Sequence, residues 1–122
     1  MQRKKHALWR YIMAGIWVIV MAPPCTPFGS WANYNRWRNA DAWRRSYNDC
    51  APIARLCGDI ALYQVQHRRG FVNEQPAGSK LYAEQPWPIV AQQPGVCCVL
   101  MDQCATNLRS AKLARDTREE AI

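Results

Sequence analysis

Acidic residues are scarce in this chain, and it has no apolar run long enough to cross a bilayer. Nine Asp and Glu stand against 16 Lys and Arg, giving a net charge of +7 and a pI near 9.4. This balance favours a polyanionic partner, either nucleic acid or an acidic membrane surface. A solvated basic surface is the competing reading. The best apolar candidate, residues 11–22, falls short of the about 20 residues that a span needs, and Arg10 blocks its extension. Behind Arg3, Lys4, Lys5 and His6 that run also resembles the h-region of a targeting segment. Val20 and Ala22 suit a signal-peptidase site, but Pro23 follows directly, and a lipoprotein signal wants a small residue where Pro24 stands. There is no C-x-x-C, and His6 and His67 lie far from any cysteine pair, which argues against a zinc site. Neither an internal repeat nor a low-complexity segment occurs.

At 122 residues the chain is one domain at most, and its hydrophobic fraction of 49% is ordinary for a globular protein. Its six cysteines are even in number, as in a disulfide framework, but their positions argue otherwise. Cys97 and Cys98 are adjacent inside the apolar run Val96-Cys97-Cys98-Val99-Leu100-Met101, where a free thiol acts as a small buried hydrophobe. Cys57 lies on an apolar helical stripe. Cys50, Cys57, Cys97, Cys98 and Cys104 therefore read as packing residues with free thiols, in a reducing intracellular compartment.

The most informative stretch is Pro23-Pro24-Cys25-Thr26-Pro27-Phe28, set behind Ile16-Trp17-Val18-Ile19-Val20-Met21-Ala22. A short β-branched run predicts a buried strand over 16–22. The prolines end it, since each lacks a backbone N–H and fixes its own φ. Cys25 is thereby presented past the carboxyl end of a strand, where open α/β sheets place their chemistry. Residues 23–48 read as a long loop in which Trp31, Tyr34, Trp37, Trp43 and Tyr47 interleave with Arg36, Arg38, Arg44 and Arg45. Rings among guanidinium groups suit stacking on unpaired bases and contact with phosphates. A partly helical cover, with Trp31, Trp37 and Trp43 on the core, is compatible with this.

Asn48 or Asp49 is the expected cap of a helix with Pro52 in its first turn. Ile53, Leu56, Cys57 and Ile60 recur at helical spacing, and Gly70 is the expected stop. Phe71-Val72-Asn73-Glu74 reads as the next strand, parallel to the first. A short packing segment at residues 87–90 precedes a third, fully buried strand over 96–101, which ends at Asp102-Gln103-Cys104. The alternating charges of residues 110–120 suit a surface helix or a frayed end. Three strand ends thus carry Cys25, Glu74 and Asp102 with Gln103 to one sheet edge, a nucleophile beside carboxylates.

Pro23, Pro24, Cys25 and Phe28 resemble the catalytic loop of DNA (cytosine-5)-methyltransferases. Glu74-Gln75-Pro76 is similar to the Glu-Asn-Pro or Glu-His-Pro stretch of methyltransferase-like proteins in phages and algal retroelements. Asp102-Gln103-Cys104, with Leu108 and Arg109, looks like the segment those proteins carry next. The resemblance covers residues 16–109. It implies that Cys25 attacks C6 of a flipped cytosine, so that C5 takes a methyl group from S-adenosylmethionine, and that Glu74 contacts the N3 and amine edge of the base. DNA is then the partner. Pro24, Arg36, Trp37, Arg38, Arg44 and Arg45 are the residues expected to hold it.

The chain departs from that family in ways that matter. The family's cofactor site begins with a strand and a Phe-x-Gly-x-Gly turn ahead of the Pro-Pro-Cys loop. Here 22 residues precede Pro23, and they hold one glycine, Gly15. Thr26 stands where Gln is usual, Gly29 where Ser is, Gln75 where Asn is, and Asn107 where Gly is expected. No target-recognition region follows Arg109. The expected fold is therefore α/β, a partial Rossmann-like parallel sheet of the S-adenosylmethionine methyltransferase type whose cofactor-binding N-terminal half is missing. Residues 1–15 form a basic and apolar lead, 16–109 a methyltransferase-like catalytic segment, and 110–122 a charged tail. Such a chain is expected to be a fragment, inactive alone unless a second chain supplies the cofactor half. Two other readings compete: a small basic protein anchored at a membrane surface through residues 7–22, and a single-stranded nucleic-acid binder.

Overall fold

The run ahead of the prolines forms strand β1 (Val18–Met21), which pairs in parallel with β2 (Gly70–Asn73), Val18 opposite Gly70 and Met21 opposite Asn73. Gly70 N donates to Trp17 O at 2.7 Å and Glu74 N to Met21 O at 2.9 Å, so the pairing extends one residue past each end. The computed structural model describes residues 2–102. In chain order these also form helices α1 (Gln2–Met13), α2 (Ala32–Arg38), α3 (Ala40–Gln66) and α4 (Trp87–Ala91), with a 3-10 turn at Lys80–Ala83. The protein is thus mixed α/β and mostly helical, around one small parallel sheet.

α3 supplies the crossover between the strands. Along it Ala51, Ala54, Gly58 and Ala61 are all buried, and these small side chains let the rest of the fold approach closely. Ile12 of α1, Met21 of β1, Phe28, Leu81, and Trp87 and Val90 of α4 complete the core with Ile60. α1 packs its Leu8, Trp9 and Ile12 inward, with the Trp9 and Tyr63 rings edge to face at 5.7 Å. Arg69 Nη1 also donates to the Ile12 carbonyl at 3.1 Å. Among the described residues no helix is long and apolar enough to cross a membrane.

Several expectations need correction. The strand expected to be buried is covered on one face: Ile19, Met21 and Phe71 pack against the core, while Val18, Val20 and Val72 are each more than half exposed. The loop expected over 23–48 contains α2 and the first turns of α3. α3 starts at Ala40, where the Asn39 side chain accepts a hydrogen bond from Ala42 N at 3.1 Å, and Pro52 lies in its interior. An interior proline forfeits a hydrogen bond and crowds the turn before it. Here the two turns ahead of it are held by tertiary contacts: Trp43 Nε1 donates to Pro27 O at 3.2 Å, and Tyr47 packs edge to face on Phe28 at 5.9 Å. The helix also ends before Gly70. Arg68 takes the left-handed conformation at φ 56° while Arg69 N returns to Gln64 O at 2.7 Å, which frees Gly70 to open β2.

The third strand is absent. Residues 96–102 leave Gly95 (φ 81°) without regular structure, and Cys97, Cys98, Val99, Leu100 and Met101 are exposed. An apolar run is buried in a parallel sheet only where neighbours flank it on both sides. The described sheet consists of β1 and β2, and this run pairs with neither. Gln103, Cys104 and the charged tail lie outside the described residues.

Gln64 ties the sheet to α3. It is fully buried, and its Nε2 donates to Ile16 O and to Gly70 O, each at 3.0 Å, at the start of both strands. Gln64→Leu keeps the bulk and removes both buried bonds to the strand starts. A loss of about 2 kcal/mol in urea unfolding is expected. An unchanged midpoint would show that the strands are registered without this side chain.

Candidate active site

Both strands end at the same sheet edge, and the segments that follow carry Cys25 and Glu74. Met21 and Asn73 are register partners; Glu74 follows Asn73 directly, and Cys25 lies four positions past Met21. Pro23 is buried and Pro24 exposed at the turn. The carbonyl of Cys25 accepts from Phe28 N at 2.8 Å and from Gly29 N at 2.9 Å, closing a tight turn. Phe28, fully buried, anchors that turn in the core.

The two strand-end segments are joined by hydrogen bonds. Gln75 Nε2 donates to Pro23 O at 2.7 Å, and Lys80 N donates to Phe28 O at 2.9 Å. Ser79 Oγ donates to Gln75 Oε1 at 2.9 Å, fixing the amide orientation. The Lys80 ammonium also meets the Asn33 side chain, which links this segment to α2. Cys25 is half-buried and Glu74 exposed, so a thiol and a carboxylate share one accessible edge. At the same edge, the Asn73 Nδ2 donates to the Tyr82 hydroxyl at 3.1 Å.

The expected binding residues divide into two groups. Arg36 lies over the Trp43 ring at 5.0 Å, Arg38 Nη1 donates to the Tyr34 hydroxyl at 3.2 Å, and Trp37, Arg44 and Arg45 are exposed. With Thr26, Pro27 and Trp43, Arg38 borders a cavity of about 240 Å³ beside the Cys25 turn. Pro24 instead borders a separate apolar cavity of about 350 Å³, with Leu8, Ile19, Leu56 and Cys57 among its walls. Asp102, expected at the same sheet edge, follows no strand and is exposed.

The described cysteines, Cys25, Cys50, Cys57, Cys97 and Cys98, are free thiols. Cys97 and Cys98, expected to be packed, are exposed, whereas Cys57 packs against the core and burial pushes its thiol up to about 11. A thiol with so high a pKa stays protonated and inert in mildly alkaline buffer. Iodoacetamide is therefore expected to label Cys97 and Cys98 first and Cys57 only on unfolding, read by peptide mass spectrometry. Equal rates would contradict the packing of Cys57.

Sequence reasoning missed the residues that hold the site together. Gln75 joins Pro23 across 52 positions, and no local pattern announces such a bond. The Tyr47 hydroxyl donates to Glu84 Oε1 at 2.6 Å, and Arg55 Nη2 meets Glu84 Oε2 at 3.3 Å, clamping α3 to the segment before α4. The hydrogen bond to Glu84, helped by burial, raises the Tyr47 pKa. Asn39, the cap of α3, had a readable signal, an Asn four residues before Trp43, the first aromatic side chain of the helix.

S-adenosylmethionine does not fit the described residues. α1 precedes β1, and the one glycine between them, Gly15, turns the chain into the strand's amino end at φ 110° with the Arg69 guanidinium beside it. A glycine-rich turn at a strand's carboxyl end, able to cradle the cofactor, is absent among the described residues. No family model, curated protein or solved structure matches the chain.

Proposed function

We propose that this chain is a nucleic-acid-binding protein of the DNA cytosine-5 methyltransferase type, built on part of a Rossmann-like sheet. In this reading it carries the nucleophile Cys25 and the base-edge carboxylate Glu74. The observation that carries it is the shared edge of β1 and β2, where Gln75 ties the Cys25 and Glu74 segments together at 2.7 Å. The segments that follow the two strands are thereby joined past the carboxyl ends of one parallel sheet, which supports this reading.

The chemistry needs a thiolate and an acid on opposite sides of one ring. The Cys25 sulfur adds to C6 of cytosine, forming a C–S bond, and the C5–C6 π pair moves toward C5 as the Glu74 carboxyl gives its proton to N3. C5 then takes a proton from water. Loss of the original C5 hydrogen to water, return of the N3 proton to Glu74 and expulsion of the thiolate restore the base. The net result is hydrogen exchange at C5. The target carbon is covered inside a stacked duplex, so the base must be unpaired or extruded. Methyl transfer is not assigned to the described residues, because S-adenosylmethionine does not fit them; a second chain is the proposed source of that half.

The test is release of tritium from [5-³H]cytosine in a single-stranded oligonucleotide. Release that requires Cys25 and Glu74 supports the reading. Release no faster than from the oligonucleotide alone overturns it.

A further inference from the structure

Trp31, Tyr34 and Trp37 recur at intervals of three along α2 and its cap, and they are 70%, 45% and 81% exposed. That spacing sets side chains on one helix face. Successive ring centroids lie 6.0 Å and 6.2 Å apart, so the rings form a single file. Ala32 is the one residue of the helix that is buried, and the core therefore does not account for these rings. A contiguous exposed aromatic patch of this kind marks an interaction surface.

The charge around the rings points to the occupant. Arg36 and Arg38 share α2 with them, exposed Arg44 and Arg45 follow in the first turns of α3, and Asp41 is the sole acidic residue between positions 31 and 45. Among the described residues no ion pair engages these arginines. Guanidinium groups beside stacking surfaces match a strand that offers phosphates and bases together. Reading a duplex needs donors and acceptors aimed at base edges in a groove. The file offers ring surfaces, successive rings being set at 77° and 42° to one another, and such surfaces gain most from bases whose own faces are uncovered. α2 is also linked to the segment after Glu74 through the Asn33 and Lys80 side chains, and the neighbouring α3 meets the Cys25 turn through Trp43 Nε1 on Pro27 O.

We infer that the exposed face of α2 is a stacking platform for unpaired bases of single-stranded nucleic acid, with the surrounding arginines on the phosphates. The inference deepens the proposed function by naming the form of the substrate, and it rests on that reading only for what happens at Cys25. The strand lies across Trp31, Tyr34 and Trp37 and leads the neighbouring base toward the sheet edge.

Fluorescein-labelled oligothymidylate tests this by anisotropy, because it stacks without offering a cytosine to Cys25. The single strand is expected to bind at least about tenfold more tightly than the same strand annealed to oligoadenylate. Trp31→Ala and Trp37→Ala are each expected to weaken binding by about tenfold. These side chains are exposed, so circular dichroism should match the parent. Replacing Arg44 and Arg45 with alanine should lower the salt slope by about 0.7 for each phosphate that is no longer neutralised. Equal binding of single strand and duplex, or tryptophan variants that bind like the parent, would overturn the inference. So would Trp37-dependent capture by phosphatidylserine vesicles in the absence of oligothymidylate binding. Failure here with intact C5 exchange removes the platform alone; intact binding without exchange removes the Cys25 reading alone.

Discussion

Trp87→Ala is expected to cost about 4 kcal/mol, enough to unfold a large share of a marginal domain at room temperature. Trp87 is buried where α4 meets α3, and its Nε1 donates to Ala54 O at 2.9 Å. Its ring meets Tyr82 edge to face at 5.3 Å and lies tilted to Phe71 of β2 at 6.1 Å. Truncation therefore opens a cavity between helix and sheet and removes a buried side-chain hydrogen bond to α3, two losses that add. Gly58 reports on the same contact from the other side. A methyl group there would sit 2.7 Å from Pro86 Cδ and 3.2 Å from Trp87 Nε1. The usual gain of about 1 kcal/mol for Gly→Ala inside a helix is therefore expected to reverse into a loss. Urea titration followed by circular dichroism measures both. A Trp87→Ala midpoint close to the parent's would mean that α4 is not part of the cooperative unit.

The second large effect is chemical. Cys25→Ser is expected to lower C5 hydrogen exchange about a thousandfold or more, because a serine hydroxyl is almost never ionised near neutral pH. Glu74→Gln keeps the size and the hydrogen-bonding reach but has no proton of suitable acidity to lend to N3. A loss of about a hundredfold is expected. Cys25 is half-buried and Glu74 exposed, so both variants should fold as the parent does. Exchange that survives in Cys25→Ser would assign the chemistry to another group or to none.

Much of the site's scaffold was legible in the chain. Prolines directly behind a β-branched run mark a strand end, and Phe71-Val72-Asn73 marks a second strand by the same local rule; the parallel pairing of the two followed. The helix between them was legible from Ile53, Leu56 and Ile60, but its start was not. Asn39 caps it, and the interior Pro52 is tolerated because Trp43 and Tyr47 dock on Pro27 and Phe28, contacts between residues distant in sequence. Residues 96–101 misled for the opposite reason. Their composition describes what would be buried, whereas burial depends on flanking strands that no local pattern reports. Cys97 and Cys98 were misread with them. At the site, the residue types of Cys25 and Glu74 were readable. The bond from Gln75 to Pro23 and the clamp of Tyr47 and Arg55 on Glu84 were not, since side-chain bonds over 52 and 37 positions leave no periodicity.

The central claim is that Cys25 is a nucleophile toward C6 of a pyrimidine held at this sheet edge. A single-stranded oligonucleotide carrying one pyrimidin-2-one base tests it most directly, because that ring lacks the electron-donating amine and retains a thiol adduct. After incubation, intact-mass spectrometry is expected to show one oligonucleotide added per chain, mapped to the peptide that contains Cys25 and absent from Cys25→Ser. No adduct, or an adduct on the exposed Cys97 or Cys98 instead, would contradict the account.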